Sequence, residues 1–240
     1  MSTDIDLKKA EELEREFDTE VRFRPILPPA SWIVGGLLFA LSCFHFYTAG
    51  FGLLRETTHR GIHMAFVLSL IFLVFALVRS QANRQRPSTL LSPGGVPLFD
   101  WILAAATVAA ALYIPIVFHD LAFRVGNPLG IDVIMGTVLI ITVLEATRRT
   151  MGWPLVIIAV AFMAYAFAGP WMPGILVHPG ATWNEVVNHL YLTSQGIYGI
   201  PIGVVATYVF HYVLFGVLAM RIGLGQLFLD LAMAVAGRYA

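Results

Sequence analysis

Long apolar runs without an ionised side chain constrain the fold of this chain more than any other feature. Ser31 to Leu54, Gly61 to Val78 and Trp101 to Phe118 contain no Asp, Glu, Lys or Arg. A helix that crosses a bilayer needs about 20 mainly apolar residues, because the hydrocarbon core is about 30 Å thick. These runs predict three membrane-spanning helices, numbered spans 1 to 3.

Three further spans follow along the chain. Span 4 is predicted from about Leu129 to Thr147, span 5 from Trp153 to Trp171, and span 6 from Pro201 to Met220. Tryptophans flank span 5, as is usual at the headgroup level, and a proline suits the first turn of span 6. The composition agrees, since 58% of the residues are hydrophobic and 12% are charged, against about 45 to 50% apolar residues in soluble domains. The predicted fold class is an all-α polytopic membrane protein with about six transmembrane helices.

Lysine and arginine are distributed unequally between the two sides of this predicted bundle. Short cytoplasmic loops are enriched in these residues. One side carries Lys8, Lys9, Arg15, Arg22, Arg24, Arg79, Arg84, Arg86, Arg148, Arg149, Arg221 and Arg238, and the other carries Arg55, Arg60 and Arg124. The imbalance predicts that both termini lie in the cytoplasm.

Two segments outside the spans have amphipathic patterns. In residues 1–30, Leu13, Phe17 and Val21 recur every four positions among charged residues, which predicts a cytoplasmic amphipathic arm. Residues 182–195 place Trp183, Val186, Val187 and Leu190 on one helical face. That face predicts an external helix lying on the membrane surface. It would be a lid or docking surface, or else a plain interfacial connector.

The charged residues at the ends of the spans are the first candidates for a functional role, because ionisable groups in a membrane are costly. Glu145 lies three and four residues before Arg148 and Arg149, which is the spacing of an ion pair on one helical face. We expect this cluster to anchor span 4, with a lipid-headgroup or proton-relay role as the alternative. The aspartates Asp100, Asp120 and Asp132 are also expected near the interfaces, with water in reach.

Histidines within the spans raise the possibility of a haem site. Counting residues from the outer interface places His45 about 13 Å deep, His211 about 15 Å deep and His63 about 3 Å deep. Two imidazoles at equal depth could hold a haem iron, although packed, hydrogen-bonded histidines are the simpler interpretation. Cys43 is the one cysteine and is expected to be a buried packing residue, so no cysteine-based metal site is predicted.

No pattern of catalytic residues is found. The chain has no serine with a neighbouring base, no paired acidic motif and no glycine-rich phosphate loop, so we expect no catalytic residues and no enzyme activity. The net charge of zero gives no indication of nucleic-acid binding. The stretch GIYGIPIGV at 196–204 interrupts the apolar sequence with glycine and proline. Transporters place binding sites at such breaks, but a simple helix start is the favoured interpretation.

Three strings together resemble one family. They are LEATRRTMGW (144–153), HLYLTSQGIYGIPIGV (189–204) and FGVLAMRIGLGQLFLDLAMAVAGR (215–238), and they are similar to the fused membrane subunit of TRAP transporters of the TAXI subtype. The resemblance implies a four-helix small-subunit-like domain at 31–150, a linking transmembrane helix at 151–172, and the start of the large-subunit-like domain at 173–240. A cytoplasmic arm helix is implied after span 6, with Leu227, Phe228, Leu231 and Val235 on one side. The chain then stops where the family continues, so we expect a fragment or one piece of a split gene.

The resemblance also implies a function. Such a permease imports organic acids with a sodium gradient and receives them from a periplasmic substrate-binding protein. The residues present resemble the fixed scaffold of an elevator, so the substrate and sodium sites, and the remainder of the large subunit, are expected outside this chain, and no cofactor is expected. Tyr198, Gly199 and Pro201 would shape the outer edge where scaffold and binding protein meet. A stand-alone accessory or assembly subunit and, less favoured, a haem-bearing membrane anchor based on His45 and His211 are the alternatives.

Overall fold

The computed structural model describes residues 23–77 and 89–236. Most of the predicted N-terminal arm, including Leu13, Phe17 and Val21, lies outside these residues. The basic residues Arg79, Arg84, Arg86 and Arg238 also lie outside them. The predictions that rest on those residues therefore stay predictions.

Within the described residues, six helices are long and apolar enough to cross a membrane, which confirms the predicted fold class. They are span 1 (Ala30–Phe51), span 2 (Glu56–Val74), span 3 (Leu98–Ile116), span 4 (Gly130–Thr150), span 5 (Trp153–Trp171) and span 6 (Ile200–Arg221). A short helix, Phe118–Arg124, connects spans 3 and 4. Another helix, Leu224–Ala236, follows span 6 after a turn at Gly223, where φ is 84°.

The helix boundaries differ from the prediction where a charged residue has a partner. Span 2 begins at Glu56 rather than Gly61, because Glu56 forms an ion pair with Arg60, which lies one helical turn further along. Span 3 begins at Leu98 and includes Asp100 in its first turn. Ionised residues therefore mark helix ends poorly when another charge neutralises them.

Span 2 is the most buried of the six spans and lies at the centre of the bundle. Its packing against span 3 is close at Gly61, where an added Cβ atom would lie 2.8 Å from the carbonyl oxygen of Ala111. Small residues allow helix backbones to approach in this way. The bundle has two ends, which we name by their contents. Arg24, Asp100 and Arg149 meet at the basic end, and Arg124 with Asp132 marks the opposite end.

The helix at 183–192 does not lie on the surface as predicted. It begins with a capping box in which Thr182 and Glu185 bond to each other's backbone, and it continues through a π-helical turn at Asn188–Leu192. Val187 and Tyr191 are fully buried against span 4. The hydroxyl of Tyr191 donates to the carbonyl of Ala110 in span 3 at 2.7 Å. Of the predicted apolar face, Val186 and Val187 therefore pack inside the bundle, whereas Trp183 remains 37% exposed and Leu190 is half-buried.

Candidate functional site

At the basic end, five charged side chains of the described residues form one network. Glu145 accepts hydrogen bonds from Arg148 at 2.7 Å and from Arg149 at 2.7 Å, so the ion pairs expected from the spacing are present. Arg149 also donates to Asp100 at 2.7 Å, and Asp100 accepts from Arg24 at 2.6 Å. The network ties span 4 to the first turn of span 3 and to the segment before span 1.

Backbone carbonyls at the end of span 2 also take part in this network. In the last turn of span 2, the carbonyl of Phe72 accepts from Arg24 at 3.3 Å. Just beyond the helix, the carbonyl of Phe75 accepts from Arg24 and from Arg149 at 3.3 Å, and that of Leu77 accepts from Arg148 at 3.1 Å. The last carbonyls of a helix have no helical partner and carry partial negative charge. Guanidinium groups compensate both deficits, so the network also fixes the end of span 2.

Burial in the network is uneven. The side chains of Asp100 and Arg149 are 1% and 0% exposed, whereas those of Glu145 and Arg148 are each 21% exposed. The expectation that Asp100 has water in reach is therefore wrong. The segment before span 1 and the last turn of span 4 cover the first turn of span 3 and exclude water from it.

A second charged cluster lies at the opposite end. Asp132 is fully buried and accepts hydrogen bonds from Arg124 at 3.1 Å, from the backbone N–H of Leu129 at 2.9 Å and from the hydroxyl of Tyr113. The expectation of water near Asp132 is also wrong, because these three groups enclose it. Asp120, which pairs with the same arginine, keeps 67% of its side chain exposed.

Tyr198 points into the bundle. Its side chain is buried, and its hydroxyl donates to the carbonyl of Ala111 in span 3 at 2.7 Å. Burial raises the pKa of this hydroxyl, so the group stays a hydrogen-bond donor. The carbonyl of Tyr198 accepts from Arg60 of span 2. Tyr198 therefore attaches the turn before span 6 to spans 2 and 3.

Gly199 and Pro201 complete this turn. Gly199 precedes span 6, and an added Cβ atom there would lie 2.7 Å from the carbonyl oxygen of Gly196. Pro201 occupies the first helical turn of span 6. Gly199 is buried and Pro201 is exposed. A contact with a partner at this edge stays a prediction. In such a contact, the exposed Pro201 would touch the partner, whereas the buried Tyr198 and Gly199 would only hold the turn in place.

Four histidines converge between spans 1, 2 and 6. The ring centroids of His63, His211 and His59 lie 5.1, 5.0 and 5.6 Å from that of His45. His45 and His211 are thus neighbours, as their equal depth suggested. The expected position of His63 near the interface is wrong, because span 2 begins at Glu56 and His63 lies roughly 10 Å further along the helix.

The geometry of this cluster does not fit a haem. A haem iron held by two imidazoles lies between two ring nitrogens. The rings of His45 and His211 instead touch edge to face, with 87° between their planes, which leaves no space for a porphyrin. Among the described residues, no group of three or more His, Cys, Asp and Glu side chains could hold a metal ion. Cys43 is exposed on span 1, contrary to the prediction of a buried residue.

Comparisons with known proteins indicate a family for the C-terminal part of the chain. Residues 138–240 match the family model of the Tripartite ATP-independent periplasmic transporter, DctM component. The match supports membership of the TRAP transporter family. Searches of curated proteins and of solved structures gave no match. Together with the six apolar helices, the DctM match supports a membrane component of a TRAP-type transporter, for which a periplasmic binding protein and membrane lipid are the implied partners.

The DctM-matching residues begin inside span 4 and continue through spans 5 and 6. The charged network at the basic end, the Tyr198 contacts and the histidine cluster each join this segment to the residues before it. Arg149 lies within the match and Asp100 before it, and His211 lies within the match and His45 before it. The two parts of the chain are therefore connected through buried polar contacts as well as through the peptide chain.

Several residues of these clusters were not singled out by the sequence pattern. Arg24 contributed only to the charge count, and Tyr191 was not recognised as part of a packing face. His59 was overlooked because it precedes the predicted start of span 2. The pairing of Asp100 with Arg149 could have been predicted from the order of the spans, because these residues lie at the same end of two adjacent antiparallel helices.

Proposed function

We propose that this chain is the scaffold portion of the permease of a binding-protein-dependent secondary transporter, of the TAXI subtype of TRAP transporters. The observation that carries the proposal is the DctM match of residues 138–240 in a chain whose first three spans precede it. Residues 31–150 are then the small-subunit-like domain, residues 151–172 the linking transmembrane helix, and residues 173–240 the start of the large-subunit-like domain. The transported substrates are organic acids, and sodium is the coupling ion.

The proposed location is the bacterial inner membrane, with both termini in the cytoplasm. The side with the termini carries twelve lysines and arginines and the other side carries three, which supports this orientation. The concentration of guanidinium groups at one end of the bundle supports it as well. The basic end then faces the cytoplasm. The turn before span 6 faces the periplasm, where a binding protein would dock.

The named residues have positioning roles in this proposal. Glu145, Arg148 and Arg149 hold span 4 against spans 2 and 3, which suits a scaffold that must stay fixed. Tyr198, Gly199 and Pro201 shape the edge towards the binding protein. We assign no substrate or sodium ligand to the described residues.

Reconstitution tests the proposal. The chain is placed in proteoliposomes with the binding protein and with any separately encoded large-subunit chain, and uptake of labelled organic acids is measured under a sodium gradient. We expect uptake that needs the chain and the binding protein and that stops when the sodium gradient is dissipated.

An accessory or assembly subunit predicts a different result in the same experiment. The chain would then co-purify with a separate large subunit and raise its yield, but uptake would continue after the chain is removed. Uptake that proceeds without either the chain or the binding protein would contradict the proposed permease role.

A further inference from the structure

The four histidines lie where span 6 packs against spans 1 and 2, a contact that we call the histidine seam (His45, His59, His63 and His211). Three of them are almost completely buried. None of them is needed for the scaffold role proposed above. Their contacts differ in kind, and these contacts determine which ring nitrogens carry a proton.

The hydrogen-bond partners of His59 and His211 determine the tautomer of each ring. His59 Nε2 lies 3.0 Å from the carbonyl oxygen of Ala206, and His211 Nε2 lies 3.0 Å from that of His45. A carbonyl oxygen can only accept, so both Nε2 atoms carry the hydrogen, and each Nδ1 atom has a bare lone pair. Neither Nδ1 atom has a hydrogen-bond partner among the described residues. The seam therefore contains two basic nitrogens without donors.

The third unpartnered nitrogen belongs to the ring between them. His45 Nε2 lies 2.9 Å from His63 Nδ1, and His45 Nδ1 has no partner among the described residues. A proton can pass along the bond between these two rings by an exchange of donor and acceptor. The cluster thus offers several adjoining positions for one added proton.

The charged groups around the seam do not stabilise an imidazolium. Glu56 of span 2 forms its ion pair with Arg60, and within the described residues no carboxylate pairs with any of the four rings. Span 6 contributes Tyr208 near His59. On span 3, which packs on the other side of span 2, Asp100 is bonded to Arg24 at the basic end and Tyr113 is bonded to Asp132, so neither pairs with a seam histidine. A proton added here creates a buried charge without a counter-ion, which is unfavourable.

A cavity lies beside His59, between the first turns of spans 2 and 6. It has a volume of about 290 Å³ and is lined by His59 together with Glu56, Arg60, Thr207 and Tyr208. Apolar residues such as Leu53 and Ile200 line the rest of it, and its volume together with the four polar side chains is sufficient for water. The cavity therefore brings water beside the His59 ring, and because the Nδ1 atom is itself buried, uptake of a proton goes together with opening of the contact.

Span 6 is irregular at this point. Residues Val205–Val209 form a π-helical turn, and the carbonyl that accepts from His59 belongs to Ala206 within it. Single π turns inside α-helices occur frequently at functional sites. The seam thus lies at a place where the helix already departs from regular geometry.

We propose that the four histidines form a proton-binding site that loosens the histidine seam when a proton is bound. The proton comes from water in the cavity and is held on the free Nδ1 atom of His59 or His211. The neutral cluster favours the packed seam, whereas an imidazolium favours an opened seam that water can enter. Acidification on the cavity side therefore shifts span 6 away from spans 1 and 2, and neutral or alkaline conditions close the contact again.

Cysteine reactivity in the full chain in lipid nanodiscs tests this proposal. In a Cys43→Ser background, a cysteine replaces either the fully buried Ala206 or Tyr208, which is 61% exposed. Because the thiol at position 206 reacts only when the seam is open, the ratio of the two labelling rates removes the effect of pH on the reactivity of an exposed thiol. We expect this ratio to rise about tenfold or more between about pH 8 and about pH 5, because one linked proton can change an equilibrium tenfold per pH unit.

Two further variants identify the source of that change. His59→Gln with His211→Gln keeps a donor for each carbonyl but removes the two Nδ1 atoms on which the proton is held, so the ratio should become independent of pH. His119→Gln, at an exposed histidine outside the seam, should behave as the unmodified chain does. A ratio that does not respond to pH in the unmodified chain, or that still responds in the double variant, would overturn the proposal.

Nitrogen NMR of the unmodified chain gives a test that does not depend on a folded variant. With 15N-labelled imidazoles, His59 and His211 should show the Nε2–H tautomer at about pH 8, and His59 should gain the doubly protonated form as the seam opens towards about pH 5. Retention of the neutral form across this range would also overturn the proposal.

Discussion

Individual aspartates in this chain have very different surroundings although the sequence places all of them near helix ends. Asp100 is enclosed by two guanidinium groups, whereas Asp120 shares one arginine and stays mostly exposed. The difference arises from which segments cover the helix end. Hydropathy alone contains no information about that cover.

The substitution Asp100→Asn should strongly destabilise the protein. It leaves Arg24 and Arg149 without their shared carboxylate, and removing one partner of a buried ion pair costs about 3 to 5 kcal/mol. The matched control is Asp120→Asn, for which a change of less than about 1 kcal/mol is expected. Unfolding in detergent, followed by denaturant titration, gives both values. Equal losses for the two variants would contradict the burial described here.

Tyr198 provides a second test at this scale. Tyr198→Phe removes the hydroxyl that donates to Ala111, and the loss of a buried hydrogen bond costs about 0.5 to 1.5 kcal/mol. Tyr208→Phe, on the exposed side of span 6, should leave the free energy of unfolding unchanged. If the two variants unfold alike, the turn before span 6 is not held by this bond.

Among the elements, the helix at 183–192 shows why the sequence predicted less than the structure contains. Its amphipathic face was recognised, but a membrane surface and a groove between helices select the same pattern of apolar residues. The groove depends on Gly136 of span 4, where an added Cβ atom would lie 2.4 Å from Val187 and 2.9 Å from the ring of Tyr191. A single glycine in an apolar run does not reveal which segment will approach it.

The six long spans, in contrast, could be predicted well. Length and hydropathy decide whether a segment can cross the bilayer, and neither depends on contacts. The boundaries of span 2 could not be predicted as well, because the Glu56–Arg60 pair makes a charged first turn acceptable. The same shift explains why the sequence separated His63 from His45 and did not predict the histidine cluster.

Gly136→Ala should disturb the contact between span 4 and the helix at 183–192. The added methyl group overlaps Val187 and Tyr191, and such overpacking typically costs about 1 to 3 kcal/mol. Gly130→Ala in the same span meets no atom within 4 Å and should be tolerated. Thermal unfolding measures both, and a Gly136→Ala protein as stable as the control would show that the two helices do not touch as described.

At the scale of the whole molecule, the charged residues of the basic end affect both the assembly of the helices and the orientation of the chain in the membrane. Replacing Arg148 and Arg149 together with Glu removes two positive charges from one side and places carboxylates beside Glu145 and Asp100. We expect this double variant to insert with mixed orientation or to fail in assembly. Arg221→Glu, at an exposed position on the same side, should retain yield and orientation. Cysteine labelling and membrane yield measure the outcome, and an unchanged double variant would contradict the anchoring role.

The central claim is that this chain is a six-span membrane component whose basic end faces the cytoplasm. In a Cys43→Ser background, one cysteine replaces Asn127, in the loop between spans 3 and 4, and another replaces the exposed Leu90, between spans 2 and 3. An impermeant thiol reagent applied to intact cells with a permeable outer membrane tests both positions. The account predicts labelling of the Asn127→Cys chain in intact cells and of the Leu90→Cys chain only after the inner membrane is opened. The reverse pattern, or labelling of both in intact cells, would contradict it.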